Sequence, residues 1–109
     1  MKQIFLILKF IQKANLDGQI LFRKDFPLEE LKVNDDQLDF YLKNLFDDGY
    51  IKGLFLIPMY GGKIGIKLNN PTITIKGMEY LEDNSAMKKI YNLFKEGKDI
   101  IPPFLAGFF

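Results

Sequence analysis

The stretch from Asn34 to Gly53 constrains the fold most, because it combines a helix start, a helix stop and the start of a strand. Asn34 suits an N-cap, and Gln37 follows it at the spacing of a capping box. Gly49 stands where a left-handed residue ends a helix. Apolar residues recur between them with the period of one helix face: Leu38, Tyr41, Leu42, Leu45 and Phe46. We therefore predict a capped amphipathic helix followed by a strand.

The opposite face of this helix is acidic. It is predicted to expose Asp36, Asp39, Phe40, Lys43, Asn44 and Asp47. With its ends, the helix carries five aspartates against one lysine, a net charge of −4. Proteins that bind duplex DNA neutralise its phosphates with lysine and arginine, so DNA would repel a helix of this charge.

Helical patterns also precede this stretch. Lys2 to Lys13 is predicted as a first helix, with a core stripe of Ile4, Ile7, Leu8 and Ile11 and with Lys2, Lys9 and Lys13 on the opposite side. The sequence from Ala14 to Gly18 is typical of a turn. Pro27 suits the first turn of a short second helix, Leu28 to Lys32. Together with the third helix, this predicts a helix-turn-helix.

Two strand patterns follow the third helix. Tyr50 to Met59 is rich in strand formers and Lys63 to Leu68 alternates, with a Gly61-Gly62 turn between them. Asn69-Asn70-Pro71 is predicted as a turn. Thr74 is predicted to cap a helix from Ile75 to about Glu82, with Ile75, Met78 and Leu81 facing inward. Asn84 or Ser85 is predicted to cap a last helix.

These elements predict an α+β fold: a winged helix, that is, a helix-turn-helix with a β-hairpin wing, plus a C-terminal helix. The domain would span residues 1–98. Residues 99–109 form an apolar tail, which contains Phe104 and Phe108 and which Pro102-Pro103 keeps from being one long helix. The tail is predicted to pack on the domain or on a second subunit, because so large an apolar patch is unfavourable in solution. Leu6 and Phe10, off the core stripe of the first helix, would lie under this segment or in a dimer contact.

Several motifs resemble one family. They are Thr74-x-Lys76-Gly77-x-Glu79-Tyr80-Leu81, Asn84-Ser85, Lys88-Lys89-Ile90-Tyr91, Asp35-x-Gln37-Leu38 and Gly49-Tyr50-Ile51. Over roughly Lys2 to Lys98 the chain resembles the YjcQ-like family of small bacterial and prophage proteins. The resemblance implies a winged-helix fold and a phage-associated setting, and it brings no activity or site residues with it.

Composition and motifs argue against several classes of function. The chain has no Cys and no His, so it lacks a thiolate, the usual general base and the commonest transition-metal ligand. The aspartates at 35, 36 and 39 suit a solvated helix start better than a metal site, and Gly61-Gly62-Lys63-x-Gly65 lacks the spacing of a phosphate loop. We expect no catalysis, no cofactor and no small-molecule substrate.

The N-terminal apolar run is interrupted by Lys9 and has no small-residue cleavage site, which argues against a signal peptide. It is too short and too charged to span a membrane. The apolar tail has no lysine or arginine after Lys98 to hold it on a membrane surface. We therefore expect a cytoplasmic protein that does not contact a membrane.

Two functions remain open. One is a regulator that binds double-stranded DNA through Lys43, Asn44, Lys52, Tyr60, Lys63 and Lys67. The net charge of the chain is only +1, which does not support DNA binding. The other is a module that binds a protein partner, or a second copy, through the acidic face around Phe40 or through the apolar residues Leu6, Phe10, Phe104 and Phe108. Fold analogy favours DNA, and the charge of the third helix favours protein. From the sequence we place the DNA-binding regulator first and the protein-binding module as its alternative.

Overall fold

A computed structural model describes residues 2–83. In chain order the helices and strands are α1 (Lys2–Leu16), α2 (Leu28–Leu31), α3 (Asp35–Asp47), β1 (Ile51–Pro58), β2 (Ile64–Ile73) and α4 (Ile75–Glu82). The α+β class is confirmed, and helices followed by an antiparallel hairpin and a further helix match a winged-helix layout. The predicted last helix and the apolar tail with Phe104 and Phe108 lie outside the described residues.

Helix α1 is longer and more enclosed than the sequence predicted. It continues to Leu16, and Ala14 is buried one turn after Ile11. Five consecutive residues, 5–9, are buried, so this part of the helix is enclosed on all sides rather than along one stripe. Leu6 is among them and belongs to the core. This burial favours packing within the chain over a dimer contact for Leu6.

Lys9 is the main correction to the first helix. It was predicted to lie opposite the core, yet it is only 6% exposed. Its Nζ lies 6.0 Å from the centre of the Phe5 ring and 3.5 Å from Oε1 of Gln12. Burial lowers the pKa of Lys9, and the nearby charge of Glu82 opposes that effect. The long aliphatic stem explains how a lysine can pack here.

Helix α3 begins and ends as predicted. Asn34 Oδ1 accepts a hydrogen bond from Gln37 N at 2.8 Å, and Asn34 N donates to Gln37 Oε1 at 3.0 Å. At the other end Gly49 has φ +81°, and Tyr50 N donates to Leu45 O at 2.8 Å. Both the capping box and the left-handed stop are therefore confirmed.

The hairpin, residues 51–73, contains a bulge where the sequence predicted a turn. Asn69-Asn70-Pro71 lies inside β2, opposite the single residue Gly53 of β1. Gly53 has φ +89°, and a Cβ there would lie 2.6 Å from the Asn70 carbonyl oxygen. The turn-forming residues therefore accommodate extra length within the strand. The predicted turn at this position was wrong.

An asparagine of α1 anchors the end of β2. Asn15 Oδ1 accepts a hydrogen bond from Ile73 N at 2.9 Å, and its Nδ2 donates to Pro71 O at 3.1 Å. The side-chain amide thus pairs with the strand as a neighbouring peptide unit would. It fixes the base of the hairpin to the helical layer.

Helix α4 returns the chain to the start of the hairpin. Thr74 caps it as predicted, accepting from Gly77 N at 3.1 Å and donating to Gly49 O at 2.6 Å. A Cβ at Gly77 would lie 2.3 Å from Tyr50 O, so only glycine allows this approach. Ile75 was predicted to face inward and is 71% exposed, so that prediction was wrong.

One core joins these elements. Its fully buried side chains come from α1, the following loop, α2, α3, β1 and α4, and include Phe5, Leu8, Leu21, Leu31, Leu42, Ile51 and Leu81. Within residues 2–83, no helix has the length and apolar character needed to cross a membrane.

Candidate docking cleft

The exposed side of α3 forms one wall of a cleft. This helix wall consists of Asp36, Asp39, Phe40 and Lys43. The capping box fixes where the helix starts, and the buried Leu38, Leu42 and Leu45 fix which side faces out. Phe40 is 63% exposed, and its ring meets the ring of Tyr41 edge-on at 5.7 Å between centroids.

An arginine from a short 3-10 helix before α2, Arg23–Asp25, reduces the charge of the helix wall. Arg23 Nη1 donates to Asp39 Oδ1, and its Nη2 lies 3.1 Å from the Asp35 carbonyl oxygen and 3.3 Å from Asp35 Oδ1. Burial alone would lower the pKa of Arg23, but the hydrogen bond and charge of Asp39, with those of Asp35, outweigh it and raise the pKa. Two of the five aspartates are thus paired.

Lys43, the lysine of α3, is also in an ion pair. Lys43 Nζ lies 2.8 Å from Asp47 Oδ2, one helical turn away. The neighbouring Asn44 donates from Nδ2 to the Phe40 carbonyl oxygen at 2.8 Å. Both side chains of α3 that were predicted to contact DNA therefore have partners within the helix. Asp36 remains on the wall with no ion pair in the part of the chain described.

The outer half of the hairpin forms the opposite wall. This hairpin wall consists of Met59, Lys63, Ile64, Gly65 and Ile66. Cross-strand partners share a face, and the pairs Leu54–Leu68, Leu56–Ile66 and Pro58–Ile64 continue one face from the core to the end of the hairpin. Along that face burial falls: Leu54 is buried, Ile66 is half-buried and Ile64 is 55% exposed.

Between the two walls lies an open cleft of about 500 Å³. It brings together exposed apolar side chains (Phe40, Met59 and Ile64), the carboxylate of Asp36 and the ammonium of Lys63. No ion pair among residues 2–83 crosses it; those present join Lys13 to Asp17, Arg23 to Asp35 and Asp39, and Lys43 to Asp47. The cleft is therefore apolar, with opposite charges on its two walls.

The predicted nucleic-acid contacts do not form one surface. Lys43 and Lys63 line the cleft on opposite walls. Lys67 is paired with Phe55, on the other face of the hairpin from Ile66, and Lys52 lies at its base opposite Thr72. Tyr60 is fully exposed in the turn. Of the three hairpin lysines, Lys63 alone lines the cleft with the exposed side of α3.

The apolar residues predicted to bind a partner are also separated. Phe40 is on the helix wall, whereas Leu6 is buried in the core. Phe10 is half-buried, and its ring packs against that of Phe26 at 5.1 Å between centroids. Of these three, Phe40 alone lines the α3–hairpin cleft.

A smaller pocket of about 230 Å³ lies between α1, the end of α3 and α4. Tyr50 and Tyr80 line it, with their ring centroids 5.7 Å apart. Burial raises the pKa of Tyr80, with smaller effects from Tyr50 and Asp83. Lys76 Nζ lies 4.9 Å from the centre of the Tyr50 ring and donates to the Asp48 carbonyl oxygen at 2.8 Å. This lysine stabilises the end of α3.

The aspartates at the start of α3 are the carboxylate cluster that the sequence singled out. Among residues 2–83 no group of three carboxylates, histidines or cysteines is arranged to hold an ion. Asp35 and Asp39 are close because they lie one turn apart on α3, and Arg23 forms ion pairs with both. These aspartates thus lie at the start of a helix, where two of them pair with Arg23.

Sequence reasoning missed Arg23 and the apolar hairpin wall. Arg23 lies in a segment without helical or strand periodicity, so nothing in the pattern pointed it toward α3. The hairpin wall had a visible signal: Phe55 to Met59 is apolar at every position, where a half-buried strand should alternate. That run indicates more apolar surface than one packed face requires.

The comparisons with known proteins identify a family. A family model described as YjcQ protein matches residues 5–100, which is most of the chain, and the chain therefore belongs to this family. No curated protein and no solved structure matches it.

Proposed function

We propose that this member of the YjcQ family is a winged-helix protein-interaction module, which acts by binding and not by catalysis. The observation that carries the proposal is the α3–hairpin cleft, which is lined by exposed Phe40 on one wall and by exposed Met59 and Ile64 on the other. Clustered apolar side chains with a charged rim are typical of protein interfaces. Folding alone gives no reason to expose them.

The charge of the helix wall supports protein over DNA. In a DNA-binding winged helix, the face of α3 enters the major groove. Here that face presents Asp36 and Phe40, and Lys43 is paired with Asp47. Arg23 approaches the wall but is engaged by two carboxylates, so it offers little free charge to a phosphate.

Site-specific photocrosslinking tests the proposal. A photoreactive phenylalanine analogue replaces Phe40 in one variant and Leu16, which is exposed at the end of α1 outside the cleft, in the matched control. Irradiation is done in cells that naturally make the protein. We expect protein adducts from position 40 and few from position 16. Equal adducts from both positions, or adducts to nucleic acid from position 40, would overturn the proposal.

DNA binding by the hairpin is the second candidate. The chain from Tyr50 to Thr74 has three lysines and no acidic residue, with the fully exposed Tyr60 in the turn. Such a segment can contact phosphates without the help of α3. On this hypothesis Lys63→Gln with Lys67→Gln weakens binding to a labelled duplex and flattens its salt dependence, whereas Asp36→Ala tightens it. Unchanged binding in both the double lysine variant and Asp36→Ala would exclude the hairpin as the contact.

A further inference from the structure

The two walls of the cleft differ in charge as well as in origin. On the helix wall Asp39 is paired with Arg23 and Lys43 with Asp47, which leaves the carboxylate of Asp36. On the hairpin wall the charged residue is Lys63. Within residues 2–83 no ion pair uses a lysine of the hairpin, and none uses Asp36. Asp36 and Lys63 therefore carry opposite charges that no ion pair within residues 2–83 neutralises.

Each wall also places an apolar side chain beside its charge. Phe40 and Asp36 are one turn apart on α3, and Ile64 follows Lys63 at the start of β2. An occupant that fits both walls must carry apolar groups and charges of both signs. A cationic partner would suit Asp36 but be repelled by Lys63, and duplex DNA would suit Lys63 but be repelled by Asp36.

We infer that the occupant of the α3–hairpin cleft is a second copy of this chain. The inference rests on the proposed function and names its partner. In a twofold dimer the hairpin wall of one copy faces the helix wall of the other, and the same contact is made twice. Lys63 then meets Asp36 of the other copy, and Ile64 and Met59 pack beside its Phe40. Both charges and all three exposed apolar side chains are covered at once.

The arrangement closes on itself, which limits assembly to two copies. Both walls belong to the same cleft, so a twofold pairing uses both and leaves neither wall free for a third copy. Because the contact contains exposed charge pairs, we expect it to weaken as salt is raised. The dimer therefore differs from one built on the core residue Leu6.

Charge reversal tests the pairing directly. Lys63→Glu places like charges opposite each other twice in its own dimer, and so does Asp36→Lys. Each variant alone should associate about tenfold or more weakly than the wild type. When the two variants are mixed, every reversed charge meets an opposite one, and association should return. Lys24→Glu, an equal change at an exposed site outside the cleft, is the matched control.

Sedimentation velocity of the purified full chain measures the result. The account predicts a wild-type species of twice the 12.7 kDa chain mass, monomers for each reversal alone, and dimers for the mixture and the control. Circular dichroism confirms that each variant is folded. A wild type that stays monomeric at all concentrations, or reversals that stay dimeric, would overturn the inference. If the monomeric wild type still gives protein adducts from position 40, the proposed function survives; if it gives none, both fail.

Discussion

The two halves of the hairpin carry the same kind of residue and yet have different roles. At its base, Leu54 and Leu68 pack into the core, and Asn15 of α1 fixes the end of β2. Further out, on the same face, the side chain of Ile64 is 55% exposed. Apolar residues at the base are explained by folding. Those at the end are not, and this difference points to a surface that is covered by a partner.

The largest expected loss of stability is at the base of the hairpin. Leu54→Ala should lower the free energy of unfolding by about 2–5 kcal/mol, because it leaves a cavity among core side chains. Urea unfolding measures the change. A loss below about 1 kcal/mol would show that the base contributes little to folding, and the comparison would then fail.

The next largest loss of stability is expected at the bulge in the hairpin. Gly53→Ala should lower the free energy of unfolding by about 1–3 kcal/mol, because a left-handed φ is unfavourable for alanine and its Cβ meets Asn70 O. Thermal unfolding followed by circular dichroism measures this. Gly61→Ala is a useful control: Gly61 also has a positive φ, but a Cβ there meets nothing within 4 Å. Equal losses in both variants would mean that the close approach adds nothing to the effect of φ.

The contact of α1 with β2 should contribute somewhat less. Asn15→Ala removes both the acceptor for Ile73 N and the donor to Pro71 O, at a cost of about 1–2 kcal/mol. Asn15→Asp keeps the acceptor and loses the donor, so we expect an intermediate stability. Faster hydrogen exchange at the Ile73 amide in the alanine variant would confirm the cause. Unchanged exchange there would contradict it.

The smallest effect on stability is predicted at the end of the hairpin. Ile64→Ser should change the free energy of unfolding by no more than about 0.5 kcal/mol, because the side chain is already largely in solvent. The same variant should lose photocrosslinking from position 40, since the two residues line one cleft. A stability loss as large as that of Leu54→Ala would make Ile64 a core residue and remove it from the interface.

Much of this fold could be predicted because its signals are local. The capping box of α3, its glycine stop and the Thr74 cap each depend on residues a few positions apart, and all are confirmed. The bulge at Asn69–Pro71 was not predicted, because turn residues do not reveal whether the chain reverses or only lengthens a strand. Burial of Lys9 likewise depends on packing between elements distant in the sequence.

The candidate site was predicted only in part, for the same reason. Phe40 and the acidic side of α3 follow from helical period alone. The pairing of Arg23 with Asp39 spans 16 positions, and the opposing hairpin wall is brought to α3 by the tertiary fold. The helix wall of the cleft could therefore be predicted from the sequence, but the hairpin wall could not.

Fluorescence anisotropy of a labelled random duplex, titrated with the wild-type chain at low and at moderate salt, tests the central claim most directly. That claim is that the whole α3–hairpin cleft, Lys63 of the hairpin included, serves protein binding in place of DNA binding. The account predicts no binding at either salt concentration, because the carboxylate of Asp36 and the paired Lys43 leave the helix wall without attraction for phosphate. Binding at low salt that fades as salt is raised would contradict it and would return the function to DNA.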